Sequence, residues 1–99
     1  MLNINKNKEG ANCTIALEGR LDTVTSPDLE KEIEELKEGL EELIFDLEKL
    51  EYISSSGLRV LLAAQKAMSK QGSMKVTNVT DPIMEIFDVT GFSDILVIE

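Results

Sequence analysis

Residues 43–62 read LIFDLEKLEYISSSGLRVLL, and this stretch decides the class of fold. Its first five residues form a short apolar run bounded by charge, which predicts a central strand buried on both faces. Residues 49–53 are interpreted as the connection to a helix, which begins at residues 54–57 because serine is a preferred helix cap. A buried strand that leads into a helix is typical of an α/β domain.

Signals before this stretch predict an antiparallel hairpin and a first helix. Alternating residues indicate an edge strand around Leu2 and Ile4 and a second strand over residues 13–17, which resumes at Leu21 after Gly19. Residues 8–12 are interpreted as the turn between them. Residues 25–28 have the composition of a helix start, and residues 37–39 end that helix with a glycine.

Signals after the stretch complete one domain. They predict a strand at residues 74–77, a helix from residue 81 to about residue 90 and a last strand at residues 95–98. The predicted order is β-β-α-β-α-β-α-β over residues 1–99. This order describes a single α/β domain, with a mixed sheet, an N-terminal antiparallel hairpin and crossover helices.

Composition excludes several classes of function. The chain has 99 residues, one cysteine and no histidine. These counts rule out a disulfide scaffold, a thiolate zinc site, a histidine-ligated metal and a triad that needs histidine, so no metal or cofactor is expected. The net charge of −9 disfavours nucleic acid and anionic membranes as partners. The longest apolar run covers only residues 60–64, so we expect no membrane insertion and a cytoplasmic location.

Acidic residues are concentrated in the middle of the chain. Residues 28–51 hold eleven acidic and three basic residues, a net charge of −8. Two interpretations stay open: a solvated helix face, or an acidic patch that faces a partner.

The three serines at residues 54–56, followed by Gly57, form the one motif that could carry chemistry. A helix cap explains one of these serines. A nucleophilic serine would need a base, and the chain has no histidine and no Ser-x-x-Lys in this segment. A serine that accepts a phosphate is the third possibility, because free N–H groups and the helix dipole favour an anion at a helix N-terminus. An enzyme is therefore disfavoured.

Four segments resemble the signature of the STAS family, named for sulfate transporters and anti-sigma factor antagonists. Residues 52–62 are similar to its Asp-Ser-Ser/Thr-Gly-Leu motif, and residues 19–22, Gly-Arg-Leu-Asp, are similar to its Gly-x-Leu-Asp. Residues 44–47 resemble its central strand, and residues 86–92 resemble the end of its third helix. The segments follow in the order and spacing of the family along essentially the whole chain.

The resemblance implies a phosphorylation switch. The family's phosphorylated hydroxyl falls on Ser55, with Ser56 and Ser54 as alternates, and Ser54 stands where the family usually has aspartate. The implied protein is a small non-enzymatic antagonist that, when unphosphorylated, binds an anti-sigma factor serine kinase and releases the sigma factor. Phosphorylation ends the binding, and a PP2C-type phosphatase restores it. The alternative is an unphosphorylated accessory subunit of a transporter or lipid-trafficking complex.

The partner is expected to contact five residues around the serines: Asp22, Ser54, Ser56, Gly57 and Arg59. Asp22 ends the second predicted strand, and either a site role or a turn role is open for it. Arg59 shares one helix face with Lys66 and Lys70, because spacings of seven and four residues return to the same side. This basic stripe serves either solubility or contact with an acidic partner.

Overall fold

The α/β fold is confirmed in a computed structural model, which describes residues 2–99. Met1, the first residue of the predicted domain, lies outside the described residues. Over residues 2–99 the elements are β1 (Leu2–Glu9), β2 (Asn12–Leu21), α1 (Ser26–Leu36), β3 (Glu42–Ile53), α2 (Ser55–Ser69), β4 (Ser73–Thr77) and α3 (Asp81–Thr90), followed by a 3-10 turn over Phe92–Asp94.

The strands form one mixed sheet in the order β1-β2-β3-β4. β1 and β2 make the predicted antiparallel hairpin, with Glu9 opposite Asn12. β2 and β3 are parallel, as are β3 and β4, so α1 and α2 are the predicted crossover helices. Leu21 pairs with Ile53 at the ends of β2 and β3. The two loops that follow these strands therefore leave the sheet side by side.

The core lies on one face of the sheet. Alternate residues of the central strands are buried, among them Ile15 in β2 and Phe45 in β3. The helices add apolar residues at helical spacing: Leu29, Ile33, Leu58, Leu61, Ala64, Met68, Ile83 and Phe87. The prediction that β3 is buried on both faces is wrong, since Ile44 and Asp46 are only half-buried. The core covers one side of the strand and leaves these two residues on the more open side.

β3 is also longer than predicted. Residues 49–53, interpreted from the sequence as a connection, continue the strand and pair with the second half of β2. Register irregularities between Ala16 and Glu18 and beside Gly19 break the alternation here. Because Leu50 and Ile53 are buried three residues apart, this part of the sequence lacks the period of two that identifies a strand.

The predicted last strand at residues 95–98 is not formed. The chain turns after α3, where the N–H groups of Ile95 and Leu96 both donate to the carbonyl oxygen of Phe92, at 3.0 and 2.9 Å. A single isolated bridge, Val76 to Ile98, connects this end of the described chain to β4. The apolar run has the composition of a strand. Its first backbone N–H groups bond within the turn, so they are not available to extend the pairing with β4.

Candidate functional site

Two loops meet at the edge of the sheet where β2 and β3 end. The Ser54 N–H donates to the Leu21 carbonyl oxygen at 2.8 Å, which joins the start of α2 to the end of β2. The hydroxyl oxygens of Thr23 and Ser56 lie 3.4 Å apart. Asp22 lies in the chain between Leu21 and Thr23, so it is placed beside the serines.

Asp22 holds the loop between β2 and α1. One of its carboxylate oxygens accepts hydrogen bonds from the N–H groups of Val24, at 3.1 Å, and Thr25, at 3.0 Å. The Asp22 N–H in turn donates to the Thr25 hydroxyl at 2.9 Å, and that hydroxyl donates to the Arg20 carbonyl oxygen at 2.8 Å. The bonds to the carboxylate, that of the Thr25 N–H foremost, lower the pKa of Asp22 because they favour its charged form. Of the two roles left open for Asp22, a site role and a turn role, these hydrogen bonds correspond to the turn role.

The three serines have three different surroundings. Ser54 is the cap of α2, and its hydroxyl oxygen accepts a hydrogen bond from the Gly57 N–H at 3.3 Å. Ser56 is half-buried and faces Thr23. Ser55, the first residue of α2, is exposed, and its hydroxyl makes no hydrogen bond within residues 2–99. The hydroxyl that is most accessible is therefore that of Ser55.

Gly57 lies beneath the serines rather than on the surface. It is buried, and a Cβ atom built on it would lie 2.7 Å from Leu21 Cγ and 2.9 Å from Ile53 Cγ1. Any side chain here would push α2 away from the ends of β2 and β3. Gly57 was predicted to contact a partner, but its position allows the serines to approach the sheet.

Arg59 borders a shallow depression between the first turns of α1 and α2. The depression has a volume of about 220 Å³ and is lined by Thr23, Ser26, Pro27, Glu30, Ser56, Arg59 and Val60. Arg59 is exposed and makes no ion pair with any group of residues 2–99. Lys66 and Lys70, the other members of the predicted basic stripe, are exposed as well. The acidic residue Glu30 of α1 lies on the opposite wall.

Two features beside the serines were missed in the sequence. The guanidinium carbon of Arg20 lies 4.4 Å from the centre of the Tyr52 ring, a cation–π contact between paired residues of β2 and β3. Val24 lies at the tip of the loop between β2 and α1 with 82% of its surface exposed. The first feature depends on strand register. The second had a weak signal, a lone apolar residue between Thr23 and Thr25.

The arrangement suits modification and docking. None of the three serine hydroxyls bonds to a lysine or carboxylate of residues 2–99 that could act as a base. In the same part of the chain, no group of three or more Asp, Glu, Cys or His residues is placed to hold a metal ion. No helix described here is long and apolar enough to cross a bilayer. An exposed hydroxyl at a helix N-terminus is a suitable acceptor for a phosphoryl group supplied from outside.

Fold and site together define a small α/β domain that presents serine hydroxyls at the start of a helix. The chain belongs to the STAS domain family, whose model matches residues 3–99. A relative in Bacillus subtilis (strain 168), named anti-sigma-B factor antagonist, is 29% identical over 96 residues, which cover 96% of this chain and 88% of the relative.

Solved structures share the fold. An anti-sigma factor antagonist from Mycobacterium paratuberculosis superposes with a TM-score of 0.89 at 21% identity, covering 99% of this chain and 85% of that one. The Bacillus cell fate determinant SpoIIAA in its phosphorylated form superposes with a TM-score of 0.76 at 17% identity, covering 98% of this chain and 91% of that one. At these identities the likeness concerns the fold.

Proposed function

We propose that this protein is an anti-sigma factor antagonist whose binding is switched off by phosphorylation of Ser55. The observation that carries the proposal is the position of Ser55, which is exposed at the first residue of α2 while the hydroxyls of Ser54 and Ser56 face other groups. The relative named anti-sigma-B factor antagonist supports the general role. The structure of SpoIIAA in a phosphorylated form is a precedent for modification within this fold.

The electrostatics of the site agree with such a switch. A phosphate adds about −1.5 to −2 charges at neutral pH. The unpaired N–H groups of the first turn of α2 and the nearby Arg59 would stabilise it on the free protein. When a partner covers the same surface, the phosphate must lose water, and the complex is weakened.

The surface of the switch consists of Thr23, Val24, Ser55, Ser56 and Arg59, which we call the serine surface. Asp22 shapes this surface through its hydrogen bonds to the loop, and one carboxylate oxygen remains without a bond to residues 2–99. Ser54 and Gly57 support this surface from beneath. Ser54 caps α2, and Gly57 allows α2 to pack closely on Leu21 and Ile53. Arg59 supplies a charge at the rim.

The proposed partners are an anti-sigma factor serine kinase with its own ATP and a PP2C-type phosphatase that removes the phosphate. The protein itself performs no reaction in this scheme and works in the cytoplasm as a single domain over residues 1–99. Its net charge of −9 makes nucleic acid an unsuitable partner.

One observation favours a second function. Ser54 occupies the place where the family usually has aspartate, and a kinase that reads the aspartate would not recognise this chain. In that case the protein would be an unphosphorylated accessory subunit of a transporter or lipid-trafficking complex. The kinase experiment below separates the two functions.

The test is incubation of the purified protein with ATP and each candidate anti-sigma factor kinase of the source genome, followed by mapping of the phosphorylated residue. We expect modification of Ser55. Modification confined to Ser54 or Ser56 would move the switch to another residue. No modification by any of these kinases would favour the accessory subunit.

Titration of the kinase with Ser55 variants tests the switch itself. Ser55→Ala should bind like the unmodified protein, whereas Ser55→Asp should bind more weakly because it adds a charge to the covered surface. Ser69→Asp is the matched control, since Ser69 is an exposed serine at the other end of α2. Equal affinity of Ser55→Ala and Ser55→Asp would refute the switch.

A further inference from the structure

Val24 is unusually exposed for an apolar residue next to a site. The residue has 82% of its surface exposed to solvent, at the tip of the loop between β2 and α1. A single exposed apolar residue is common on protein surfaces and needs no explanation by itself. Two further properties distinguish Val24: the hydrogen bonds that hold its loop, and the contact between its neighbour Thr23 and Ser56.

Several hydrogen bonds hold the loop that carries Val24. The Val24 N–H and the Thr25 N–H both donate to the Asp22 carboxylate, and the Thr25 hydroxyl links Asp22 to the Arg20 carbonyl oxygen. Thr25 itself is buried. The side chain of Val24 is thus presented on an ordered loop, and binding through it would lose little conformational entropy.

Val24 is also connected to the serines of the serine surface through its neighbour in the chain. Its neighbour Thr23 contacts Ser56, with 3.4 Å between the hydroxyl oxygens. Thr23 also lines the depression together with Ser56, Arg59 and Glu30, so Val24 is an apolar side chain next to a group of polar ones. An apolar centre within a polar rim is the arrangement of a binding hot spot. The other strongly exposed apolar residue of the described chain, Val89 at 81%, belongs to α3.

We propose that Val24 is the apolar anchor of the complex with the anti-sigma factor and enters an apolar pocket of that protein. The inference rests on the proposed function and adds the chemistry of the partner's surface, which must offer an apolar pocket beside the contact for Ser55. A partner that buries Val24 would also cover the neighbouring contact of Thr23 with Ser56, the residue after Ser55. The same anchor therefore raises the cost of a phosphate at the serine, and it links affinity to the switch.

The test is a titration of the anti-sigma factors of the source genome, and of the anti-sigma-B factor of Bacillus subtilis, with four variants. Val24→Ser removes the apolar surface, Val24→Ile keeps it, Val89→Ser is the control of equal exposure, and Ser55→Asp reports on the switch. We expect Val24→Ser to raise the dissociation constant about tenfold or more, mainly through faster dissociation. Val24→Ile and Val89→Ser should stay within about threefold of the unchanged protein. Melting temperatures should stay close to that of the unchanged protein, because both valines are exposed.

The outcomes separate the two proposals. If the unchanged protein binds none of these anti-sigma factors, the proposed function fails, and the anchor role fails with it. If the unchanged protein binds and Ser55→Asp weakens binding while Val24→Ser does not, only the anchor role of Val24 is overturned. An equal loss for Val24→Ser and Val89→Ser also overturns it, because the effect would then not belong to the serine surface.

Discussion

Replacement of Gly57 by alanine tests whether this glycine acts through packing. The added Cβ would lie 2.7 Å from Leu21 Cγ and 2.9 Å from Ile53 Cγ1, whereas nonbonded carbon atoms pack at about 3.5–4.0 Å. Leu21 and Ile53 are both buried, so neither side chain can move into solvent. The start of α2 and the ends of the two strands would have to separate by roughly 1 Å.

The expected destabilisation follows from two opposing effects. Overpacking of a core site costs about 1–3 kcal/mol, and the higher helix propensity of alanine offsets up to about 1 kcal/mol. We therefore expect Gly57→Ala to lower the free energy of unfolding by about 1–2 kcal/mol. For a domain of this size, that corresponds to a fall in melting temperature of roughly 5–15 °C.

Thermal and urea denaturation followed by circular dichroism measure this effect. Ser55→Ala is the matched control in the same helical turn, and its exposed position predicts a change within about 0.5 kcal/mol. Leu21→Ala removes the nearest atom, so Gly57→Ala should cost less in that background. A Gly57→Ala protein as stable as the unchanged one, or strictly additive effects of the two substitutions, would refute the packing role.

Three further predictions concern the fold and the site. Gly72→Ala should lower the free energy of unfolding by about 3 kcal/mol in urea denaturation, because the added Cβ would lie 1.8 Å from the Glu41 carbonyl oxygen, a backbone atom. A smaller loss of stability than that of Gly57→Ala would contradict this prediction. Arg59→Glu should keep its melting temperature but slow association with the anti-sigma factor at low salt; a large fall in melting temperature or an unchanged rate would count against a rim role. Asp22→Ala should melt below the unchanged protein at pH 7, and the difference should close in acid. The bound carboxylate has a pKa below its ordinary 3.8, so its stabilisation is complete above that value and disappears as the pH falls through the lowered pKa; a pH-independent difference would exclude this cause.

Local sequence patterns predicted only the first part of β3. Residues 43–47 were predicted as a strand from their apolar composition, while residues 49–53 were interpreted as a connection, although both belong to β3. The strand conformation of residues 49–53 comes from pairing with β2 through an irregular register, a property of two segments together. At residues 95–98 the opposite happened: a strand was predicted and is not formed. The apolar composition of a strand is present there, but the first backbone N–H groups bond within a turn.

The candidate site shows the same division. The motif of three serines before Gly57 marked the start of α2, and Ser54 is its cap. The different surroundings of the three hydroxyls were not visible in the motif, since they depend on Thr23, which lies in another loop.

The sequence by itself determined the hairpin, the crossover helices, the start of α2 and the class of chemistry that the missing histidine excludes. These features depend on neighbouring residues, on turn and cap preferences, or on composition. The tertiary structure alone decided which serine is exposed, that Gly57 packs on Leu21, and that the loop of Thr23 and Val24 contacts Ser56. The physical reason is the parallel pairing of β2 and β3, which brings together two loops separated in the chain by a whole crossover helix.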